Sequence, residues 1–371
     1  MNRLAMTRTA GTAAALSVGL ILAGCGSSSG NNAQVSAANN AGGSGSGNSG
    51  SGSSAKIPTV KMMVGGIDKQ IYLPYQLAQG LGYYAKYGVK VELSTEQSGG
   101  VGAEDAMASG QVDMAGAWYN HTITFQQAGK DVVDVVQLSG APGEREMCAN
   151  GTNVHSPSDW SSKSVGVTDL GSGTDDLTLY LAAHQGLTSK QFNRVGVGAG
   201  QTLIASLQHK KIVCGMTTQP TVSAIEKKGV GYSAVDLATT AGAQKWLGGT
   251  FPAAAVIAKQ SWVDSHKDAV QRVVTALVAT MNYISTHSAA DIAAHMPPAY
   301  VSNGLVTKDD YIKALDQDKG QFLPDGVMPA NGPETVLQIE KLAGKVKGNV
   351  DLSKTYTNEF VDAAKKQLGL K

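Results

Sequence analysis

The chain has 371 residues, with 30 Lys and Arg against 29 Asp and Glu and a formal net charge of +1 at pH 7. This balance argues against a nucleic acid or another polyanion as partner, because such partners require a basic field. Hydrophobic residues make up 42% of the sequence, enough for a sizeable core, and the length suggests roughly two domains. The composition excludes general disorder and a multi-pass membrane protein.

The first residues have the pattern of an export signal. Arg3 and Arg8 precede an uncharged, largely apolar run at 10–23, which is shorter than the roughly 20 apolar residues of a membrane span. The run ends in Leu22-Ala23-Gly24-Cys25, which resembles the lipobox of bacterial lipoproteins. The resemblance implies that residues 1–24 are a signal peptide and that the Cys25 thiol carries a diacylglycerol. A chance cysteine after an ordinary signal peptide is the alternative.

The segment that follows predicts a flexible linker. Residues 26–54 are nearly all Gly, Ser, Asn and Ala, and such a tract buries too little apolar surface to offset the entropy of ordering it. We therefore interpret 25–55 as a lipid anchor with its linker and expect the folded part to begin near Lys56. On this interpretation the protein is extracytoplasmic and lipid-anchored to the cell membrane, either on an outer surface or in a periplasm.

Strands and helices alternate along the folded part. In its first portion, strands are predicted at 61–64, 89–93, 112–115 and 132–138, and helices at 73–81 and 103–107. After Pro157, strands are predicted at 165–167, 195–197 and 212–214, and helices at 177–184 and 203–207. A strand at 253–257 precedes a mainly helical C-terminal part with a long helix over 270–284. This alternation predicts an α/β fold of two lobes with mostly parallel sheets covered by helices on both faces.

Motifs of enzymes and metal sites are weak in the folded part. None of its seven histidines forms a pair at i, i+4, and it has no Cys-x-x-Cys, Walker loop or Gly-x-Ser-x-Gly elbow. Gly196-Val197-Gly198-Ala199-Gly200 lies between a predicted strand and helix, but its third glycine falls one residue early for a dinucleotide fingerprint. A tight glycine-rich turn is the simpler interpretation. We therefore expect no catalytic residues, no cofactor and no metal.

Small or polar residues follow four of the predicted strands. These four loops are 65–70, 117–121, 171–174 and 217–220. Open α/β sheets place their ligands at the carboxyl ends of their strands. Two of the loops lie in each predicted lobe, so a ligand could be held between the lobes.

Several segments together resemble the taurine, aliphatic-sulfonate, nitrate and thiamine-precursor binding proteins of ABC importers. The segments are Leu73-Pro74-Tyr75 through Gly80, Gly88 through Leu93, Gly99-Gly100, Ala106 through Asp113, Ser156 through Trp160, Val165-Gly166-Val167 with its Gly-Ser loop, and Thr217-Thr218-Gln219-Pro220. The run Ala106-Met107-Ala108-Ser109-Gly110-Gln111-Val112-Asp113 is the most specific of them. The resemblance extends from Lys61 to the C-terminal helices.

The resemblance implies a periplasmic-binding-protein fold of the second topological class, in which the chain crosses twice between the lobes. We place the first lobe at 56–145 with 250–371 and the second at 146–249. In this topology the strand entering the second lobe is antiparallel to the strand that bears Cys214. Cys148 and Cys214 would then lie on neighbouring strands, where an oxidising compartment permits a disulfide. Two buried free thiols are the alternative.

The family places its ligand at the four loops, which makes their side chains candidate ligand contacts. The candidates are Asp68, Lys69, Gln70, Trp118, Tyr119, Asn120, His121, Ser172, Gly173, Thr174 and Gln219, together with Arg145 at the crossing. Backbone N–H groups and hydroxyls at 171–174 would hold an anionic oxygen at a helix N-terminus, unless Thr174 merely caps that helix. Trp118 and Tyr119 would cover an apolar ligand body or else pack in the core.

Two of the candidates carry a particular alternative. Arg145 would pair with a carboxylate or sulfonate of the ligand, or else form a structural ion pair. Gln219 stands where many relatives carry an acidic residue, which favours hydrogen bonding over charge pairing. Asp175 and Asp176 directly follow the third loop and would oppose a strongly anionic ligand if they faced it.

The resemblance implies a solute-binding protein that is not an enzyme. It would capture a small organic anion, such as a sulfonate, taurine-like molecule or carboxylate, by hinge closure and deliver it to permease subunits driven by ATPases. Its membrane contact would be the lipid anchor alone, and it would be a monomer without a nucleic-acid partner. Nitrate or a pyrimidine or thiamine precursor is an alternative ligand. An enzyme on the same fold, or a sensor or surface-presentation lipoprotein, is an alternative role.

Overall fold

The computed structural model describes residues 57–96 and 100–371. The predicted signal peptide, Cys25 and the linker lie outside the described residues. Within the described ranges, no helix is both long enough and apolar enough to cross a membrane.

The described residues form ten strands and fifteen α-helices. The strands are β1 (Thr59–Gly65), β2 (Lys90–Glu96), β3 (Met114–Trp118), β4 (Val132–Gln137), β5 (Glu144–Ala149), β6 (Ser164–Val167), β7 (Asn193–Gly196), β8 (Cys214–Thr218), β9 (Gly231–Asp236) and β10 (Ala254–Lys259). The helices up to the last strand are α1 (Leu73–Gly80), α2 (Tyr83–Lys86), α3 (Val101–Ser109), α4 (Asn120–Gln127), α5 (Gly173–His184), α6 (Gln201–Gln208), α7 (Thr221–Lys227) and α8 (Thr240–Leu247). The C-terminal helices are α9 (Gln260–Ser265), α10 (Lys267–Thr286), α11 (Ala289–Ala294), α12 (Pro298–Val301), α13 (Lys308–Asp318), α14 (Gly332–Leu342) and α15 (Glu359–Leu368).

The strands form two sheets of the same design. The first sheet has the order β2-β1-β3-β10-β4 and the second the order β7-β6-β8-β5-β9. In each sheet one strand, β10 or β5, runs antiparallel to both of its neighbours, while the remaining pairs are parallel. We call the part around the first sheet, with the helices after β10, the first lobe, and the part around the second sheet the second lobe. The chain passes between the sheets after β4 and returns with β10.

Burial explains why these segments become strands and helices. Every residue of β3 and β4 is buried, as expected for strands covered by helices on both faces. The long helix α10 buries one apolar stripe that includes Val270, Val274 and Leu277, and it packs against α15. The predicted α/β architecture with helices on both faces of the sheets is confirmed.

Several strands begin or end away from their predicted bounds, and β3 and β8 are two examples. β3 begins at Met114, two residues later than predicted, and the Asp113 carboxylate just before it accepts a hydrogen bond from the Lys61 backbone N–H. β8 begins at Cys214, at the end of its predicted range. The strand pattern did not identify β5, because Glu144, Arg145 and Glu146 interrupt its hydrophobicity although the whole strand is buried.

A disulfide joins two neighbouring strands of the second lobe. Cys148 of β5 lies opposite Cys214 of β8 in an antiparallel pair, and their sulfurs are 2.03 Å apart. Both residues are fully buried. The disulfide is therefore part of the core of the second sheet.

Candidate functional site

The loops at the carboxyl ends of the central strands meet between the two lobes and enclose a small cavity. The cavity is lined by Lys69, Ile71, Tyr72 and Trp118 of the first lobe and by Glu144, Thr168, Gly173 and Thr174 of the second. Its volume is about 10 Å³. This is room for roughly one water molecule. The two lobes are therefore closed on each other.

The first loop contributes Lys69 and connects the lobes. The Lys69 ammonium donates a hydrogen bond to the Gly65 carbonyl at 3.1 Å, and burial lowers the pKa of this lysine against the influence of Glu144. The backbone N–H of Gln70 donates to the Gln219 carbonyl of the second lobe at 3.0 Å. The Asp68 side chain is exposed and does not line the cavity. Lys69 is thus the charged group that this loop brings to the cavity.

The Gln70 side chain is buried beside the cavity. Its Nε2 donates to the Tyr311 carbonyl at 3.0 Å, while its Oε1 has no hydrogen-bond partner within residues 57–96 and 100–371. Gln70 therefore fixes the first loop between the second lobe and α13.

The second loop supplies Trp118, which ends β3. Its ring packs edge-on against Phe251, with centroids 6.0 Å apart. Tyr119 is fully buried, and its hydroxyl lies 2.6 Å from the Thr355 hydroxyl. Of the two predicted aromatic contacts, Trp118 lines the cavity, whereas Tyr119 is packed in the core of the first lobe.

Asn120 and His121 begin α4 and have partners outside the cavity. The Asn120 amide donates to Asp176 at 3.0 Å and to Glu340 at 3.1 Å. The Nδ1 of His121 lies 3.1 Å from Glu104, and burial lowers the pKa of His121 to about 3. Burial also raises the pKa of Glu104 well above its ordinary value. The imidazole is therefore neutral and faces a carboxyl group of α3.

The third loop forms the start of α5. Ser172 is the N-cap, and its hydroxyl accepts a hydrogen bond from the Asp175 backbone N–H at 3.4 Å. The alternative that Thr174 only caps the helix does not apply, because Thr174 lies within the first turn. The Thr174 hydroxyl donates to the Thr168 hydroxyl at 3.0 Å. Thr168 and Thr174 therefore present one connected pair of hydroxyl groups at the cavity.

Gly173 is the point of closest approach between the lobes. A Cβ atom at this position would lie 2.1 Å from Cε3 of Trp118, far inside van der Waals contact. Only glycine therefore permits this contact between the N-terminus of α5 and the end of β3.

The fourth loop connects the lobes through its backbone. The Oε1 of Gln219 accepts hydrogen bonds from the Ser223 N–H at 3.1 Å and the Ser223 hydroxyl at 2.9 Å. The following peptide bond to Pro220 is cis. Gln219 does not line the cavity, and its side chain holds the start of α7 in place.

Arg145 does not face the cavity. Its guanidinium donates to both oxygens of Asp318, at 2.7 and 2.8 Å, and to Asp236 at 3.1 Å. In this closed structure the guanidinium has the partners of a structural ion pair, which is the alternative that the sequence left open. The pair links β5 of the second lobe to the end of α13.

A group of charged and polar residues joins the two lobes beside the cavity. We call Asn120, Asp175, Asp176, Arg194, Glu340 and Lys345 the interlobe polar cluster. The Lys345 ammonium lies 2.6 Å from Asp176 and 3.3 Å from Asp175, and Arg194 also pairs with Asp175. Burial raises the pKa of Asp176 to about 6 despite Lys345, and it raises that of Glu340 well above its ordinary value. Asp175 and Asp176 thus have their own partners and do not line the cavity.

Four cavity residues were not among the candidates from the sequence: Ile71, Tyr72, Glu144 and Thr168. Glu144 is only 5% exposed, and its Oε2 has no hydrogen-bond partner among the residues that the structure describes. Burial raises the pKa of Glu144 to about 8, against the nearby charges of Lys69 and Arg145. The alternation of β5 could have identified Glu144, because neighbouring residues of a strand point to opposite faces and Glu144 therefore faces away from Arg145.

In the described ranges, no three His, Cys, Asp or Glu side chains group as metal ligands.

Comparisons with known proteins agree with this architecture. A family model described as NMT1/THI5 like matches residues 71–290, more than half of the chain. Among curated proteins, no significant match was found.

Several solved structures share the fold. A protein from Bordetella bronchiseptica RB50 is 27% identical, with a TM-score of 0.77 over 84% of this chain and 98% of its own. The nitrate-binding protein NrtA of Synechocystis PCC 6803 is 18% identical, with a TM-score of 0.68 over 84% of this chain and 89% of its own. The alkanesulfonate-binding protein SsuA of Xanthomonas axonopodis pv. citri, bound to MOPS, is 15% identical, with a TM-score of 0.65 over 81% and 98%. A desulfurization enzyme, DSZB, also has this fold, so the fold alone does not separate binding from catalysis.

Proposed function

Because this chain belongs to the NMT1/THI5-like family, as its resemblance to importer binding proteins indicated, we propose that it is the solute-binding protein of an ABC importer. It captures a small organic anion, such as a sulfonate, taurine-like molecule or carboxylate, between its two lobes and delivers it to the permease. The observation that carries the proposal is the cavity between the lobes. It lies at the carboxyl ends of β1, β3 and β6, where open α/β sheets bind ligands.

The cavity offers donors that suit an anionic oxygen. The Lys69 ammonium of the first lobe is an N–H donor, and the Thr168 hydroxyl of the second lobe is an O–H donor that is held in place by the hydrogen bond from Thr174. Charge-assisted hydrogen bonds from such donors are stronger than neutral ones. Trp118 and Gly173 form the walls of the cavity where the two lobes approach each other most closely. These residues are the ligand contacts that we propose, and Gln70, Ser172 and Gln219 hold the loops that carry them.

Capture proceeds by hinge closure about the two crossings between the lobes. We propose a first lobe of 56–143 with 250–371 and a second lobe of 144–249, with the first boundary two residues before the predicted one because β5, which begins at Glu144, belongs to the second sheet. Lys69 and Trp118 on one side and Glu144 and Thr174 on the other come together only when the lobes meet. Opening separates these groups and admits solvent, so closure and solute binding are coupled.

We propose binding rather than catalysis at this cavity. An enzyme here would need a nucleophile with an adjacent base. Cys148 and Cys214 are joined in a buried disulfide, and His121 faces Glu104 away from the cavity. The reactive side chains available to the enzyme alternative are thus engaged elsewhere. A sensor or surface-presentation role uses the same cavity without a permease.

The remaining features of the proposal follow from the N-terminal sequence. The signal peptide and Cys25 would make the protein a lipid-anchored, extracytoplasmic monomer, on an outer surface or in a periplasm. Its partners would be the solute, the permease subunits with their ATPases, and the membrane through the anchor alone.

Thermal unfolding of the chain from Lys56 tests the proposal. Sulfonates, taurine, nitrate, carboxylates and pyrimidine precursors are added in turn, and a ligand at 100 times its Kd should stabilise the protein by about 2.7 kcal/mol. Lys69→Met should weaken binding of an anion, whereas Lys86→Met, a substitution on α2 outside the cavity, should not. Recovery of the unchanged ligand excludes turnover. The absence of any shift in ligand-free protein refutes capture of these solutes.

A further inference from the structure

The wall of the cavity holds a buried carboxyl group. Glu144 lines the cavity from β5, and its Oε2 has no hydrogen-bond partner among the described residues. The Lys69 ammonium, which lines the same cavity, donates to the Gly65 carbonyl and not to this oxygen. An ionised carboxylate is costly to bury without a donor, and such a group takes up a proton instead. In the closed protein Glu144 is therefore a neutral carboxyl group.

The groups around Glu144 agree with this protonation. Burial raises its pKa to about 8, against the charges of Lys69 and Arg145. Glu146 lies on the same face of β5 and is fully buried, and burial together with Glu144 raises its pKa well above its ordinary value. Burial likewise raises the pKa of Tyr72, which faces the cavity from the first lobe. The other residues of the lining have no ionisable side chain, so Lys69 alone brings a charge to the cavity near neutral pH.

Protonation turns Glu144 from an acceptor into a donor. A neutral carboxyl group carries one O–H donor, which an anionic oxygen can accept. The Lys69 ammonium and the Thr168 hydroxyl are donors in the same cavity, whose volume of about 10 Å³ brings all three groups to one small space. The charge of Lys69 balances that of a singly charged anion. An ionised Glu144 would add a second, uncompensated negative charge.

We propose that Glu144 enters the closed complex as a neutral acid and donates its O–H to an anionic oxygen of the solute, so that the capture of one anion takes up one proton. The inference rests on the proposed function, since it concerns an anion in the same cavity. Opening the lobes exposes this side chain to water, which returns its pKa towards the ordinary value of 4.5. The carboxylate of the open form then receives a proton from solvent as the lobes close on the anion.

Proton uptake makes the affinity for the solute depend on pH. The pKa of Glu144 is higher in the closed form than in the open form, so closure is favoured at low pH and loses this advantage as the pH rises towards 8. With pKa values of 4.5 and about 8 in the two forms, the Kd should rise about 50-fold from pH 6 to pH 8. The charge of the bound anion raises the pKa in the closed form further, which brings the change to about 100-fold.

Calorimetric titration at pH 6 and pH 8 tests this inference. The probes are ethanesulfonate, nitrate and propionate, which remain ionised over this range, and two buffers of different ionisation enthalpy give the number of protons taken up. Glu144→Gln keeps a donor but cannot ionise. It should bind like the wild type at pH 6, change its Kd about 50- to 100-fold less between the two pH values, and take up about one proton fewer. Protons taken up by the interlobe polar cluster remain in this variant, so the difference counts the proton of Glu144.

Two further variants separate the donor from the charge. Glu144→Met has no donor and should bind about 10- to 100-fold more weakly than Glu144→Gln at both pH values, as expected for the loss of a hydrogen bond to a charged group. Asp362→Asn removes an exposed carboxylate of α15 outside the cavity and should behave like the wild type. Unchanged circular dichroism establishes that each variant is folded. In the wild type alone, the absence of proton uptake at pH 6 already overturns the inference.

Each contrary outcome has a definite meaning. Equal pH dependence and equal proton uptake in the wild type and Glu144→Gln overturn the proton-linked role. Binding by Glu144→Gln that is as weak as that of Glu144→Met overturns the role as donor. If none of the three probes binds the wild type at pH 6, the inference is also refuted. A thermal shift with a small-molecule cell extract then leaves solute capture standing, whereas no shift with that extract refutes the proposed function as well.

Discussion

Gly173→Ala should hold the lobes apart and weaken solute binding without unfolding the protein. The added Cβ would lie 2.1 Å from Cε3 and 2.6 Å from Cζ3 of Trp118, while ordinary contacts begin near 3.4 Å. The deficit of about 1.3 Å must be met by moving a packed indole ring or by leaving the lobes partly open. Overpacking of this kind costs about 1–3 kcal/mol. Because the clash exists only in the closed form, we expect the Kd to rise about 5- to 150-fold.

The same substitution should not weaken the second lobe itself. Gly173 is the first residue of α5, and alanine is favoured over glycine in a helix by about 0.5–1 kcal/mol. The unfolding temperature without solute should therefore stay the same or rise while affinity falls. A loss of both would indicate damage to the lobe instead.

Calorimetry with any solute that binds the wild type measures this effect, and small-angle X-ray scattering should show a larger radius of gyration for Gly173→Ala in the presence of that solute. Gly304→Ala is the matched control, because a Cβ there has no atom within 4 Å and the backbone is not in the left-handed region. If Gly173→Ala binds as tightly as the wild type, the approach of Gly173 to Trp118 is not part of the bound state.

Three further predictions concern stability. Arg145→Ala should destabilise the closed form by about 3–5 kcal/mol in urea unfolding, because it leaves the buried Asp318 carboxylate unpaired, and a change below 1 kcal/mol would contradict this. Burial raises the pKa of Asp134 to about 8, so the folded protein holds a proton that the unfolded chain releases near pH 4. Stability should therefore fall between pH 4 and 8 by up to about 1.4 kcal/mol per pH unit, and Asp134→Asn should flatten this slope; equal slopes would refute it. Reduction of the disulfide between Cys148 and Cys214, which are 66 residues apart, should lower the free energy of unfolding by about 2–4 kcal/mol, and unchanged urea midpoints with and without reductant would exclude this.

Most of the fold could be predicted from the sequence because its signals are local. The alternation of apolar strands with amphipathic helices predicts the α/β class, and the small residues after the strands mark the loops that meet between the lobes. β5 could not be found in this way, because a charged strand becomes buried only through its partners in the second lobe.

The candidate site was predicted less completely because orientation depends on register. Lys69, Trp118, Gly173 and Thr174 line the cavity as expected. On β5, however, the sequence pointed to Arg145, whereas Glu144 lines the cavity, since a shift of one residue exchanges the two faces of a strand. The pairing of Glu144 with Thr218 across the sheet decides this orientation, and a single sequence does not contain it.

The interlobe polar cluster and the pair of Arg145 with Asp318 also bear on delivery. Lys345 contacts Asp176 across the lobes, and neither pair needs a solute. The free energy that these contacts contribute raises the fraction of solute-free protein that is already closed. The apparent affinity for the solute rises in proportion to that fraction. Under the proposed function, closed protein without solute would also bind a permease that recognises the closed form, and it would deliver nothing. The strength of these ion pairs would therefore balance a higher apparent affinity for the solute against a larger fraction of permease bound by empty protein.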